Sequence, residues 1–308
     1  MKNAPWFAHY PKDVPQQIES AEYESLAELL NDSFKKFGNY PAFENTGKVM
    51  TFNELKTASD SFSAYLIHDL GLNRGDKVAI QMPNLLQYPV VLFGALRAGM
   101  TVVNVNPLYT SSELKHQLND ADAKVIIVLA NFANILEGIL SETKLKHVLV
   151  THIGDMIGGI KGSLINFAVK YVRKMVPSFS LPKSTALMKA LKSGANHDFV
   201  QPPIKSSDLA FLQYTGGTTG VSKGAMLSHG NLVANLLQVN TWMKSGGLKE
   251  GAEVYITALP IYHIFALVAN VLGSVSSGSQ NILITNPRDM DGFVKELRKH
   301  KFTILSGV

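Results

Sequence analysis

The sequence predicts an α/β fold, a mostly parallel sheet covered by helices on both faces. Short strand patterns alternate with helical ones along most of the chain. The strands (KVAIQMP, KVIIVLA, EVYITALP) are nearly unbroken apolar runs, the mark of strands buried on both faces. The 308 residues, 46% hydrophobic and 17% charged, suffice for one large or two ordinary domains with real cores.

The elements follow in order. A polar, Pro-containing arm precedes a helical pattern over Leu26–Phe37. A short strand at Val49 leads into a helix running to Gly71, with Thr51 and Glu54 at capping-box spacing. Strands are predicted at 77–83, 101–107, 124–130 and 147–153. Between them lie an apolar helix over 84–99, with Asn84 as its N-cap, an amphipathic helix over 111–122 and a further helix. After a basic segment the alternation resumes: strand 209–215, a Gly/Thr loop, helix 228–243, strand 253–260, an apolar helix over 261–275, strand 281–287, helix 289–301 and a buried strand in FTILSGV. Ending on such a strand reads as a fragment of a longer protein. The boundaries expected are an arm and helix (1–50), a first α/β subdomain (51–154), a basic insertion (155–205) and a second α/β subdomain (206–308).

Composition excludes several classes. With no cysteine there can be no disulfide, thiolate metal site or cysteine nucleophile, which fits a cytoplasmic protein. No apolar run reaches the roughly 18 residues of a membrane span. The N-terminus lacks the apolar core of a signal peptide. Net charge is +5, yet seven basic and no acidic residues lie between Met156 and His197, leaving the remainder at −2.

The candidate site is YTGGTTGVSKGA, Tyr214–Ala225. Gly216, Gly217 and Gly220 let backbone N–H groups turn toward one centre, and Thr215, Thr218, Thr219 and Ser222 add hydroxyls. Lys223 adds a compact positive charge. Two readings stand, a polyphosphate nest or a structural turn; four hydroxyls and a lysine favour the first. Lys223 is followed by Gly224, which breaks Walker A spacing, and GGTTG fails the dinucleotide fingerprint.

The loop resembles instead the phosphate loop of the adenylate-forming superfamily, except that Ser222 stands where most members carry Pro. LPIYHIFAL (Leu259–Leu267) resembles that superfamily's second motif. MPNLLQYPVVLFGALRAGMTVVNVNPLYTSSELKHQLNDADA, LAFLQYTGGTTG and NILITNPRDMDGFVKEL resemble the bacterial long-chain fatty acid–CoA ligases of the FadD type, over essentially the whole chain. The resemblance implies the large N-terminal domain of that fold, truncated, in stacked αβαβα layers. It implies two steps: a fatty carboxylate attacks the α-phosphorus of ATP to give acyl-AMP, and CoA then displaces AMP. Lys223 and the amides of Tyr214–Lys223 would grip the triphosphate, Thr218 and Thr219 its β- and γ-oxygens. Thr215 would be a Mg²⁺ ligand, with a glutamate beyond residue 308. His263 would approach the carboxylate, and Tyr262, Ile264 and Phe265 would shape the substrate pocket. Apolar residues of 264–272 and 232–242 would line an acyl tunnel. Without the motif, His263 reads as a core histidine; His229 reads as a helix-start or packing residue. Later family motifs (Tyr-Gly-x-Thr-Glu, Thr-Gly-Asp) are absent, so the chain is expected not to turn over alone.

SLINFAVKYVRKMV (163–176) reads as a helix with Asn166, Lys170, Arg173 and Lys174 on one face and Leu164, Ala168, Val172 and Met175 opposite. A basic amphipathic helix predicts peripheral contact with an anionic membrane through 160–192, on the inner face of a bacterial membrane; a solvated helix is the alternative. Nucleic acid is not expected, since only Phe167, Tyr171 and Phe179 accompany the charges. Oligomeric state stays open, a homodimer being one candidate. Other adenylate-forming ligases, or a silent lipid- or nucleotide-binding fragment, remain the competing functions.

Overall fold

The computed structural model describes residues 4–18, 22–215 and 222–307. In chain order its strands are β1 (Pro41–Asn45), β2 (Lys48–Thr51), β3 (Lys77–Gln81), β4 (Thr101–Asn104), β5 (Ala123–Leu129), β6 (His147–Thr151), β7 (Thr185–Ala186), β8 (Leu209–Thr215), β9 (Lys223–Ser228), β10 (Val254–Thr257), β11 (Gln280–Leu283) and β12 (Ile304–Leu305). Its α-helices are α1 (Leu26–Phe37), α2 (Phe52–Ala64), α3 (Gln87–Arg97), α4 (Ser111–Asp120), α5 (Ala133–Ile139), α6 (Gly159–Phe167), α7 (Leu187–Gly194), α8 (His229–Ser245), α9 (Ile264–Ala266), α10 (Gly273–Ser276) and α11 (Met290–Lys299).

A seven-stranded sheet runs β7-β6-β5-β3-β4-β8-β9, parallel except for β9. A five-stranded sheet runs β12-β10-β11-β1-β2, with only β1–β2 antiparallel. The main core lies between the sheets and takes in α1, α2, α3, α8 and the helical run 264–276. A second core joins the outer face of the large sheet to α4 and α5. A third joins the outer face of the small sheet to α11. These are the five αβαβα layers.

Local sequence explains the helix starts. Thr51, Thr110 and Ser228 each cap a helix through a reciprocal bond with the residue three positions on. Several details differ from the sequence reading. Helix α3 begins at Gln87, and Asn84 does not cap it; its side chain is taken by the facing sheet. Strand β1, which continues the small sheet across a 238-residue separation from β11, carries no separate signal in the sequence. Helix α2 ends at Ala64 and passes into a π turn over Tyr65–Asp69. The terminal strand is a two-residue edge rather than a buried one, with Leu305 47% exposed. The sheets also do not divide at residues 50, 154 or 205. β1 and β2 join the 254–305 strands, β8 and β9 complete the 77–151 sheet, and β7 and α7 tie the basic segment to β6 and α2.

The basic helix docks through Gly162 and Asn166, while Lys170, Arg173 and Lys174 stay exposed. Asn166 faces inward, accepting from Gly154 N at 2.7 Å and donating to Asp155 Oδ1 at 2.9 Å. Gly162 lies against the Gly154 carbonyl so closely that a Cβ would stand 2.3 Å from it. The apolar residues Leu164 and Val172 face outward, because the small and polar residues do the docking.

Candidate functional site

β3, β4, β5, β6 and β8 run parallel, so their carboxyl ends share one edge of the large sheet. The segments leaving β10 and β11 face that edge. Between them is a cavity of about 480 Å³ lined by Asn84, Leu108, Phe132, Met175, Tyr262 and Arg288 among others. A crevice at the carboxyl ends of parallel strands, near a reversal of strand order, is where open α/β sheets place ligands. Here the order reverses at β3, flanked by β4 on one side and β5 on the other.

β8 and β9 form the stem of the Gly/Thr loop, and their register pairs Thr215 with Lys223 and Tyr214 with Gly224. Thr215 and Lys223 are exposed and Ser222 is half-buried. Gly216, Gly217, Thr218, Thr219 and Gly220 lie outside the described residues. Tyr214 points away from solvent into the outer core, where its hydroxyl donates to Asp120 Oδ2. Burial, then the neighbouring Asp120, pushes that phenol's pKa well up, so it stays protonated as the donor. Its ring covers Gly224, where a Cβ would stand 2.9 Å away. His116 on α4 donates through Nε2 to the Ser222 carbonyl at 3.1 Å. The outer face of the stem is thus clamped to α4 at two points.

The inner face is held by a buried relay. Tyr88 OH donates to Asn104 Oδ1 at 2.7 Å, Asn104 Nδ2 to Gln213 Oε1 at 2.9 Å, and Gln213 Nε2 to the Tyr262 carbonyl at 3.1 Å. The loop stem is therefore bonded directly to the Tyr262–His263 segment. Asn84 holds that segment from the other side. It donates to the carbonyls of Thr257 and Leu259 at 3.0 and 2.9 Å and accepts from Ile261 N at 3.0 Å.

His263 emerges exposed at the N-terminus of α9, not in the core. Tyr262 is half-buried, and burial raises its phenol pKa. Ile264 is half-buried and Phe265 exposed, whereas Leu267, Val268, Val271 and Leu272 are core residues of a π turn over Leu267–Leu272. Leu232, Val233 and Leu236 pack into the same core, and Trp242 stands at the surface against Tyr10. His229 is buried, its Nδ1 accepting from Leu26 N, and is a packing residue.

Sequence reasoning missed Gln213, Asn104, Asn84, His116 and Asp120. A signal existed for the first two: each is a lone amide near the carboxyl end of an otherwise apolar strand (FLQYT, TVVN), where burial requires a partner.

Two mostly parallel sheets whose carboxyl ends face one crevice, with helices between and outside them, define a layered α/β domain. Solved structures share it. A long-chain-fatty-acid-CoA ligase from Archaeoglobus fulgidus superposes with a TM-score of 0.75 at 24% identity, over 96% of this chain and 53% of that one. The anthranilate CoA ligase AuaEII, solved with anthranoyl-AMP, superposes at 0.74 and 18% identity, over 92% of this chain and 49% of its own. Residues 30–308 match the AMP-binding enzyme family, and the chain belongs to it. It is 52% identical over 303 residues to the long-chain-fatty-acid–CoA ligase of Escherichia coli O157:H7, covering 98% of this chain and 54% of that protein. To the ligase of that name from Haemophilus influenzae it is 47% identical over 305 residues, again 98% and 54%. The chain spans about half the length of the curated relatives it matches.

Proposed function

We propose that this chain is the phosphate-gripping half of a ligase that activates long-chain fatty acids with ATP and passes them to CoA. The observation that carries the reading is the bond from Gln213, in the phosphate-loop stem, to Tyr262, beside His263. It couples a charge-bearing loop to a segment at the mouth of an apolar crevice, so triphosphate and carboxylate can meet at one edge.

In the first step a carboxylate oxygen bonds to the α-phosphorus of ATP and the α–β anhydride bond breaks, releasing pyrophosphate. Two anions must approach, and negative charge grows on the leaving group. Lys223, exposed opposite Thr215, is placed to offset it, with the amides and hydroxyls of 216–222 as further donors. His263 is the candidate contact to the carboxylate. In the second step the CoA sulfur bonds to the acyl carbon, the thiol proton is lost and AMP departs.

Magnesium fits this donor set only loosely. Among the described residues no cluster of His, Asp or Glu could hold an ion. Thr215 offers one hard oxygen, enough if phosphates and water supply the rest. When bound, the ion would neutralise phosphate charge. The adenine and ribose motifs implied by the resemblance are not in this sequence, so we expect these 308 residues alone to bind triphosphate weakly and not to turn over.

Peripheral contact of residues 160–192 with an anionic membrane on the inner face of a bacterial membrane belongs to the same proposal, supported by the seven unopposed basic residues. No described helix is long and apolar enough to cross a membrane.

The test is acid-dependent exchange of labelled pyrophosphate into ATP by the full-length protein. Palmitate and oleate should support exchange, hexanoate and benzoate poorly, and Lys223→Ala should lower it by about a hundredfold or more. Equal exchange with aryl or amino acids and none with palmitate would assign another adenylate former. No exchange with any acid would reject the ligase.

A further inference from the structure

The outward face of α6 and the turn after it holds five large hydrophobic side chains with no covering partner among the described residues. Ile160, Leu164, Phe167, Tyr171 and Val172 are between 57% and 81% exposed. Ile160, Leu164, Phe167 and Tyr171 are spaced by four, three and four residues, one continuous stripe along the helical run. The Phe167 and Tyr171 rings lie 5.1 Å apart, and Lys170 Nζ sits 5.2 Å from the Tyr171 ring centre.

The opposite face is fixed in place. Gly162 touches the Gly154 backbone, Asn166 bonds to Gly154 and Asp155, and Lys161 Nζ donates to the Thr46 carbonyl at 2.6 Å. The stripe is therefore held outward by the docking contacts, and the helix cannot roll inward to bury it without breaking them.

Charge selects the occupant. Lys170, Arg173 and Lys174 are exposed around the stripe, and no acidic residue occurs between Met156 and His197. Two copies meeting through this face would bring these cations together, whereas an anionic phospholipid surface opposes them while receiving the apolar side chains. An apolar ridge edged with lysine and arginine matches the acyl–headgroup boundary of a bilayer.

We propose that the Ile160–Tyr171 stripe inserts into the acyl boundary of an anionic bilayer, with the flanking lysines and Arg173 at the headgroups. The proposal rests on the membrane-contact reading above and makes it specific: the apolar face enters the lipid, rather than the basic face lying on it. It is independent of the ligase chemistry.

The test uses vesicles of phosphatidylcholine with and without phosphatidylglycerol. A Leu164→Ser/Phe167→Ser/Tyr171→Ser variant, altered only at exposed positions and checked for native circular dichroism, should bind mixed vesicles about tenfold or more weakly than the unsubstituted protein. A Phe167→Trp variant should gain a blue-shifted emission quenched by brominated lipid, read as the difference from the protein carrying only Trp6 and Trp242. Salt should weaken binding without abolishing it. If the triple variant binds as well as the unsubstituted protein and Trp at 167 is not quenched, insertion is overturned while electrostatic contact stands. If no protein binds mixed vesicles, both fall, and pyrophosphate exchange still reports separately on the ligase. A dimer in light scattering that the triple variant loses would make the stripe an interface between copies and overturn the proposal.

Discussion

His229 and His263 both sit beside recognisable motifs, and their surroundings divide them. His263 is exposed at the N-terminus of α9, next to the crevice-lining Tyr262. His229 is 1% exposed, and its Nδ1 accepts the Leu26 N–H at 3.2 Å, so the neutral ring carries its proton on Nε2. Burial, assisted by Arg74 and opposed by Asp208, brings its pKa from 6.5 down to about 4. A base with a depressed folded pKa is protonated first in the unfolded chain. Its contribution to stability is therefore complete above pH 6.5 and is lost as pH falls from 6.5 toward 4. Between pH 7 and pH 5 this predicts a loss of about 2 kcal/mol in unfolding free energy. His229→Asn, which keeps an acceptor for Leu26 N but cannot titrate, should flatten that slope even if it lowers stability throughout. Urea unfolding at the two pH values measures both; equal slopes in the two proteins would reject this origin.

Among the elements, the segment running from the end of β10 is held most unusually, because one side chain from the loop after β3 bonds to three of its backbone groups. Asn84→Ala would leave the Leu259 carbonyl and the Ile261 N–H without their partner and remove one of the two donors to the Thr257 carbonyl, which also accepts from Ile284 N. A destabilisation of about 2–4 kcal/mol is expected in urea unfolding. Asn84→Asp keeps only the bond from Ile261 and turns a carboxylate toward two carbonyls, so it should be no better than alanine. In the full-length protein Asn84→Ala should also lower the rate of palmitate-dependent exchange more than it raises the KM for ATP, since the displaced segment carries His263 and not the phosphate loop. A KM effect alone would contradict this. Asn84 also shows the reach of sequence reading. The helix after it was legible from apolar periodicity, and an Asn just before a helix looks like a cap. Its true partners lie 173 to 177 residues away and leave no local pattern. The Thr51 and Ser228 caps were legible or nearly so because their partners are three residues on. The orientation of α6 escaped for the same reason as Asn84: the sequence shows which residues share a face, but only the Gly154–Gly162 contact decides which face docks.

At the scale of the whole molecule, both sheets are assembled from distant parts of the chain, and this governs how it can be divided. The small sheet needs β1 and β2 from residues 41–51 beside strands from 254–305. The large sheet needs β8 against β4, and the cavity needs the carboxyl ends of both sheets. The main core draws on residues from Leu26 to Leu283, so the inner faces of both sheets are buried by elements from across the chain. A fragment of residues 206–308 would carry β8 and β9 without β4, and β10 and β11 without β1. Its inward-facing Leu232, Leu236, Leu267 and Leu272 would be left in water. At roughly 1.5–3 kcal/mol for each large side chain left unburied, these four alone cost about 6–12 kcal/mol, comparable to the 5–15 kcal/mol that typically separates folded from unfolded states. The fragment is therefore expected to give an unfolded circular dichroism spectrum and collapsed amide dispersion, and residues 1–308 together a single cooperative unfolding transition. A folded 206–308 fragment, or two resolved transitions in residues 1–308, would show that the sheets are separable units and that the boundary at residue 205 is real.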